Sequence, residues 1–408
     1  MLIGDVFDRL AEIPDGSVDL VLTSPPFLAL RSYLPPDHPD KAKEIGSEPT
    51  PAAFIDTLLR LTAEWRRVLA PHGSIAVELG DTYSGGGGAG GDYAAEGLRA
   101  GQQAFSGSAA KRAAAGIGDE YRPSRAGRGD GWPLAKSLTL IPELYRLGLA
   151  YGVNALTGQP SPAGQWRVRN VVRWVRPNPP VGALGDKFRP ATSDMVIACT
   201  SAKRWFDLTA VRTPHQNPPQ ANHRKPITNS RADDGQEYAN SGNPAGAPPL
   251  DWWKISPGGY EGSHYAVYPP ELCVTPILAM CPQHVCRACG EPRRRIEETT
   301  YVAGVGYARH GEHGDPWNGA RRGDKSATQP KVAEIETLGW TDCGHDDYRP
   351  GLVLDPFGGS GTTGMVATGH GRDALLIDID ARNADLARER IGMFLTVHEH
   401  GDAYRRAA

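Results

Sequence analysis

Two stretches of this chain carry residue types that could do chemistry. The first is "TSPPF", residues 23–27, directly behind the apolar run "VDLVL". Pro25 and Pro26 have no N–H and are stiff, so a turn through them presents carbonyl acceptors without competing donors. Ser24 adds a hydroxyl, and Phe27 offers a face on which a planar group can stack. That combination suits a planar substrate carrying N–H groups. Taken alone, the same residues also describe a strand-ending turn with Phe27 in the core.

The second stretch is "VLDPFGGSGTTGMVAT", residues 353–368, which reads as a strand, a glycine turn and a helix. Gly358, Gly359 and Gly361 allow close approach of a ligand to the backbone, and the helix start adds free N–H groups. A triphosphate-binding loop would need a lysine before the Ser/Thr, and "GSGTT" has none. A dinucleotide, S-adenosylmethionine (SAM) or a purely structural turn remain open. Some twenty residues on, "DALLIDID" ends a strand at Asp378, where a carboxylate can accept from ribose hydroxyls; Asp380 reads as a helix cap.

A third group has metal-ligand spacing. "CRAC" supplies Cys286 and Cys289, and "CGH" supplies Cys343 and His345. Three cysteines and a histidine suit structural zinc, which would pinch the ends of a loop that has no core of its own. Cys281 is an alternative fourth ligand, while Cys199 and Cys273 read as core thiols. A redox pair would need a fold pattern that is missing around "CRAC".

The elements that must position these groups alternate between strand and helix. Residues 18–23 read as a buried strand, and 52–69 place Phe54, Leu58, Leu61, Trp65 and Leu69 at helical spacing. "PHG" breaks that helix before a second strand, "SIAVELGD". A helix is expected over 134–149, strands over 169–175 and 194–200, and strand–loop–helix–strand–helix over 352–395. This rhythm predicts a parallel α/β sheet. Three polar stretches interrupt it. The expected division is 1–83 for the first part of an α/β domain, 84–131 for a flexible Gly/Arg-rich insertion, 132–211 for the continuation of the α/β domain, and 212–262 for a polar loop region. Residues 263–281 precede the last part, 282–349 form a zinc-binding insertion, and 350–408 carry the glycine turn.

With 408 residues and a formal net charge of −3, the chain has enough length for a full core and no uniform basic coat. Its opening "MLIGDVFDRL" lacks a basic leader and apolar h-region, no run approaches a membrane span, and six cysteines are too few for a disulfide framework. A soluble cytoplasmic protein is expected. Between 203 and 231, Lys203, Arg204, Arg212, Arg224, Lys225 and Arg231 face Asp207 alone, which suits phosphate contacts.

Taken together, "GDVFDRLAEIPDGSVDLVLTSPPF", "GSIAVELGDTYSGGG", "WVRPNPP", "SHYAVYPPEL" and "DPFGGSGTT" resemble the amino-directed DNA methyltransferases of the permuted β class. The resemblance implies a Rossmann-like, circularly permuted, SAM-dependent methyltransferase fold, with the catalytic half (1–83) first, a DNA-recognition loop region over 212–262 and the SAM-binding half (350–408) last. It implies that Asp355, Phe357, Gly359 and Gly361 line the SAM pocket, with Asp378 on the ribose and Asp5 near the adenine. His264 to Pro269 would flank the methionine end, and Thr23 to Phe27 would hold the target base. The substrate would be duplex DNA with the base flipped out. No Pro-Cys pair supplies a nucleophile for C5-cytosine chemistry. Within the resemblance a leading Ser goes mostly with N4-cytosine, with N6-adenine the alternative. A non-catalytic DNA reader and an RNA or protein methyltransferase are the remaining readings. A partner restriction endonuclease, and a monomer or a homodimer, are both compatible with the family.

Overall fold

A computed structural model describes residues 1–30, 33–34, 37–84, 130–179, 186–213, 246–257, 267–303 and 331–398. Among these, Asp5 caps a short helix, α1 (Val6–Ala11), by accepting from the N–H groups of Phe7 and Asp8. The strand before it, β1, spans Leu2–Ile3. The buried run 18–23 is strand β2 (Val18–Thr23). Helix α2 (Pro51–Val68) starts where Thr50 accepts from the Ala53 N–H and Pro51 takes the first turn, and it buries Phe54, Leu58, Leu61 and Trp65. Strand β3 (Leu69–Leu79) follows with no loop. "PHG" therefore lies inside the strand rather than between elements, at the point where the β2–β3 register shifts between Val18 and Leu20.

Helix α3 (Ile141–Tyr151) begins later than the apolar pattern suggests. Asp81, just past β3, accepts from Thr139 Oγ1 (2.5 Å) and from the N–H of Leu140 (2.9 Å), and so caps α3 from 60 residues away. Strands β4 (Arg167–Val175), β5 (Thr192–Cys199) and β6 (Trp252–Lys254) come next, then α4 (Glu271–Met280), which accommodates Pro276. Strands β7 (His284–Cys286) and β10 (Tyr348–Pro350) form a two-stranded antiparallel pair. The chain closes with β11 (Leu352–Asp355), α5 (Thr362–Gly369), β12 (Asp373–Asp378) and α6 (Asn383–Ile391), the alternation expected for 352–395.

The main sheet runs β1-β12-β11-β2-β3-β5-β4-β6. Its first five strands are mutually parallel, and β5 is antiparallel to both its neighbours. The last strands of the chain thus pair with the first. The turns after β2 and after β11 leave neighbouring strands at the same carboxyl end, where open α/β sheets hold ligands. A large apolar core that includes the buried faces of α2 and α3 backs the sheet, and a smaller cluster joins Met1 and Leu376 to Ala384 and Ala387 of α6.

The chain divides into two compact units. The first comprises 1–206, 250–293 and 343–408, and holds everything above. The second comprises 207–249 and 294–342. It contains an antiparallel hairpin of β8 (Arg295–Ala303) and β9 (Lys331–Trp340), with a register shift after Ile296. The sequence read this stretch as irregular. Its hairpin escaped notice because "RIEETTYVA" is polar on both faces, so no period-2 contrast marks it; Thr299, Thr300 and Glu336 are all exposed. Among the described residues no helix is long and apolar enough to cross a membrane.

Candidate active site

The turns at the carboxyl ends of β1, β2, β11 and β12 enclose one cavity, with about 1130 Å³ of empty space counting its open mouth. Its far wall is the glycine turn. The Gly358 N–H donates to Ile377 O (2.8 Å), and a Cβ there would come within 2.8 Å of the Leu376 Cβ. Gly359 has a left-handed φ of +49°, and its N–H donates to Asp378 Oδ2 (2.8 Å). Asp378 also accepts from the Asp380 N–H (2.8 Å) and Asn383 Nδ2 (3.0 Å). Burial pushes its carboxyl up to about 6 despite these donors. Asp5, Phe357, Gly358, Gly359 and Asp378 all line the cavity, as expected.

Three expected cofactor residues stand behind the wall. Thr23 Oγ1 donates to Asp355 Oδ1 (2.6 Å), and Asp355 also accepts from Thr363 Oγ1 (2.6 Å), Tyr268 OH (2.9 Å) and the Phe357 N–H (3.1 Å). Asp355 is thus a fully satisfied buried carboxyl that ties β2, β11, α5 and the 267–270 segment together; desolvation pushes it up. Gly361 starts α5 at φ +79°, packed against Ala387 rather than on the cavity. His264 lies outside the described residues. Its neighbour Tyr268 lines the cavity, as do Tyr33, Lys43 and Glu44, which carried no sequence signal.

The near end of the cavity is the "SPPF" turn. Ser24 Oγ donates to Glu78 Oε2 (2.6 Å) across 54 residues. Glu78 lies on β3, buried, and desolvation pushes its carboxyl above the usual range; Ser193, Ser24 and the charge of Arg176 oppose the shift. Arg176 Nη1 donates to Ser193 Oγ (3.2 Å), and its guanidinium covers the Trp174 ring at 5.0 Å. Phe27 packs its ring against the chain at Gly80, where a Cβ would come within 2.5 Å of it. On the other side, a Cβ at Gly46 (φ +93°) would press on the Phe27 carbonyl oxygen at 3.0 Å and on Pro26. Sequence reasoning missed Glu78, Ser193 and Gly80. The available signal was an acid within the apolar run "SIAVELG".

Cys286, Cys289, Cys343 and His345 come together, with their ligand atoms all within 4.8 Å of one another. Cys289 and Cys343 are each followed by a glycine at positive φ, Gly290 (+71°) and Gly344 (+80°), which form the tight turns of the two arms. The arms rise from the β7–β10 pair, which Arg349 fastens to the buried Asp19 (2.6 Å). The Cys343 thiol is pushed down to about 6, chiefly by the His345 N–H. Cys281 is buried apart from the group, beside Arg372 and Arg349, and Cys199 and Cys273 are buried thiols as expected. The four ligands belong to the first unit, and the second unit's 294–342 segment leaves and returns between them.

The expected DNA contacts are dispersed. β5 starts beside Glu78 and ends at Cys199, so Lys203 and Arg204 follow the end of the sheet opposite Ser24, ~17 Å along the strand. Arg204 is occupied by Met280 Sδ (3.5 Å) and the Phe206 ring (4.5 Å). Arg212 donates to Gly246 O (2.7 Å) within the second unit, and Arg224, Lys225 and Arg231 lie outside the described residues.

A mostly parallel sheet with a glycine turn and an acidic strand end beside a cavity, and a hydroxyl–carboxyl pair at the same carboxyl end, is a Rossmann-like α/β architecture. A family model described as DNA methylase, of the N6/N4 type, matches residues 18–284 and 348–389. The chain belongs to this family of amino-directed DNA methylases. Type II methyltransferase M.SfiI of Streptomyces fimbriatus is 27% identical over 216 residues, 53% of this chain and 39% of that protein. The chain thus spans well under half the length of that relative. Type II methyltransferase M.XycI of Xanthomonas campestris pv. cyanopsidis is 23% identical over 392 residues, 95% of this chain and 86% of its own. Among solved structures, PvuII DNA methyltransferase (cytosine-N4-specific) covers 97% of this chain and 87% of its own at 14% identity, with a TM-score of 0.48, a likeness too loose to bear on detail.

Proposed function

We propose that this protein transfers a methyl group from SAM to the exocyclic N4 amine of a cytosine flipped out of duplex DNA. The observation that carries the reading is the Ser24–Glu78 pair beside Phe27, with Ser24 and Phe27 lining the same cavity as Asp378. An exocyclic amine is a poor nucleophile because its lone pair is delocalised into the ring. The Ser24 hydroxyl spends its proton on Glu78, so its oxygen is free to accept from the amine. The Ser24 and Pro25 carbonyls meet no N–H from the two prolines that follow. Together they localise the lone pair, while Phe27 stacks the base. SAM, when bound, supplies an electrophilic methyl on a sulfonium. As the nitrogen gains that methyl it must lose a proton, and the route runs through Ser24 Oγ to Glu78. A carboxylate whose proton affinity is raised by burial takes it better than an exposed one would. Alignment and electrostatics carry the rest.

In this reading Asp378 accepts from the ribose hydroxyls, Asp5 faces the adenine, and Tyr268 stands for the 264–269 segment at the methionine end. Asp355 and Thr23 act as positioning residues. Circular permutation follows from a catalytic turn that precedes the glycine turn in the chain. Cys286, Cys289, Cys343 and His345 hold a structural zinc, which fastens the base of the segment that carries the β8–β9 hairpin. The four ligands fit because their atoms converge from two tight turns, and methyl transfer itself needs no metal. The protein works in the cytoplasm beside a type II restriction endonuclease.

The test is transfer from labelled SAM to genomic DNA, digestion to nucleosides and mass detection. Label in N4-methylcytosine supports the reading. Label in N6-methyladenine would keep the Ser24–Glu78 chemistry and overturn the base. Label in RNA or protein alone, or none, would overturn the substrate. Zinc is checked by metal analysis of the purified protein, with about one ion per chain expected.

A further inference from the structure

The β4–β5 hairpin brings one more feature to the catalytic end. Trp174 and Val175 pair with Ser193 and Thr192, and the Arg176 N–H donates to Ala191 O (2.8 Å), so the segment just before β5 emerges beside the Glu78–Ser193 contact. It reads "DKFRP", residues 186–190. Asp186 is bonded to Lys136 (2.8 Å), and the Lys187 ammonium sits 3.7 Å over the ring of Tyr83. Tyr83 follows Gly80, the position on which Phe27 rests. Both contacts tie the segment to the stretches around Tyr83 and Lys136, the first three residues beyond Gly80. Between them and β5, Phe188 is 98% exposed, and Arg189, also exposed, has no partner among the described residues.

A single exposed apolar side chain on a surface needs no explanation. Phe188 differs in three respects. It is a full aromatic ring 98% exposed, it has a cation on each side in the chain, and it lies four residues before β5, whose Ser193 contacts Glu78. Flipping a base leaves a gap in the stack, and apolar side chains can wedge between base steps. A ring in the gap recovers stacking, and a cation beside it meets the flanking phosphate.

We propose that Phe188 enters the space vacated by the extruded base and that Arg189 meets an adjacent phosphate of the duplex. Lys187, held by Tyr83, and Asp186, held by Lys136, position the wedge. The inference rests on the DNA-methyltransferase reading above, and it adds the contact that keeps the base out.

The test uses the full-length protein and two duplex oligonucleotides containing the methylated site mapped on genomic DNA. In one the target base is normally paired; in the other it faces an abasic position, so extrusion is cheap. The expected result is that F188A loses at least tenfold in single-turnover rate on the paired duplex. It should return to within about threefold of the wild type on the abasic one, while F188W keeps most of the rate on both. SAM affinity measured by calorimetry should match the wild type for both variants, which excludes misfolding. R189A should weaken binding to both duplexes and reduce the salt dependence of affinity. F188A equal to the wild type on the paired duplex would overturn the proposal, as would an equal loss on both duplexes. If the wild type itself labels no DNA, the functional reading fails first, and the two failures are told apart.

Discussion

The two ends of the cavity are built differently. The end assigned to the cofactor is made largely of backbone: a glycine turn, two helix starts and one strand-ending carboxylate that the Gly359 N–H holds in place. The end assigned to the base is made of side chains from separate strands, with Ser24 after β2, Glu78 on β3, and Ser193 and Trp174 on β5 and β4. A backbone site is written contiguously because its geometry depends on consecutive dihedral angles. A side-chain site is written in pieces, because only the sheet register brings its members together.

Substitutions at the base end should therefore lower turnover and spare SAM binding, with the reverse at the cofactor end. The largest effect is expected from S24A, which removes the acceptor facing the amine. Single-turnover transfer should fall by ~10²-fold or more, with the SAM Kd within twofold of wild type. D378A should give the opposite pattern, with SAM affinity falling about ten- to a hundredfold, since a charge-assisted contact is lost. The pH dependence sharpens this. Burial pushes the Asp378 carboxyl up to about 6, and in the proposed reading its ionised form accepts from ribose. Calorimetry should show SAM affinity weakening as pH drops below about 6, and D378N should flatten that dependence. For the unliganded protein the sign reverses, because a carboxyl raised by burial favours the folded state at low pH. That contribution fades as pH climbs through about 6.

G80A is the next test. The new methyl would meet the Phe27 ring at 2.5 Å and must displace it. A fall of about tenfold in kcat/KM for DNA is expected, the scale of one stacking contact, with SAM affinity unchanged. The smallest effect on chemistry belongs to the Cys/His group. H345A, or treatment with a strong chelator, should lower Tm by roughly a few degrees and leave SAM affinity intact.

The same contrast explains what could be read from the chain. The glycine turn, Asp378 and "SPPF" stood out as local devices that the structure brings to one cavity, although their residue types alone left several uses open. The four Cys/His ligands were legible from spacing, although the sequence could not show that their arms belong to the main unit while a hairpin springs from between them. Asp355 and Thr23 carried the right motif and a different task, since four donors fill the carboxylate before any ligand arrives. Glu78 was hidden because a partner 54 residues away leaves no periodic trace. The placement of Lys203 and Arg204 escaped the sequence for a related reason. Composition marks a basic loop but does not say which end of a strand it follows, and here β5 carries it away from Ser24. Exposure picked out Phe188, whose sequence context is an ordinary polar loop.

The central claim is that Glu78, through Ser24, takes the proton of the methylated amine. The most direct measurement is the single-turnover rate of methyl transfer against pH for the wild type and E78Q, at saturating SAM and DNA. The account predicts a wild-type rate that falls on acidification at a pH above the ordinary carboxylate range. It predicts an E78Q rate ~10²-fold lower and flat over the same interval, with unchanged SAM affinity. An E78Q enzyme that transfers at the wild-type rate, or that keeps the wild-type pH profile, would contradict it.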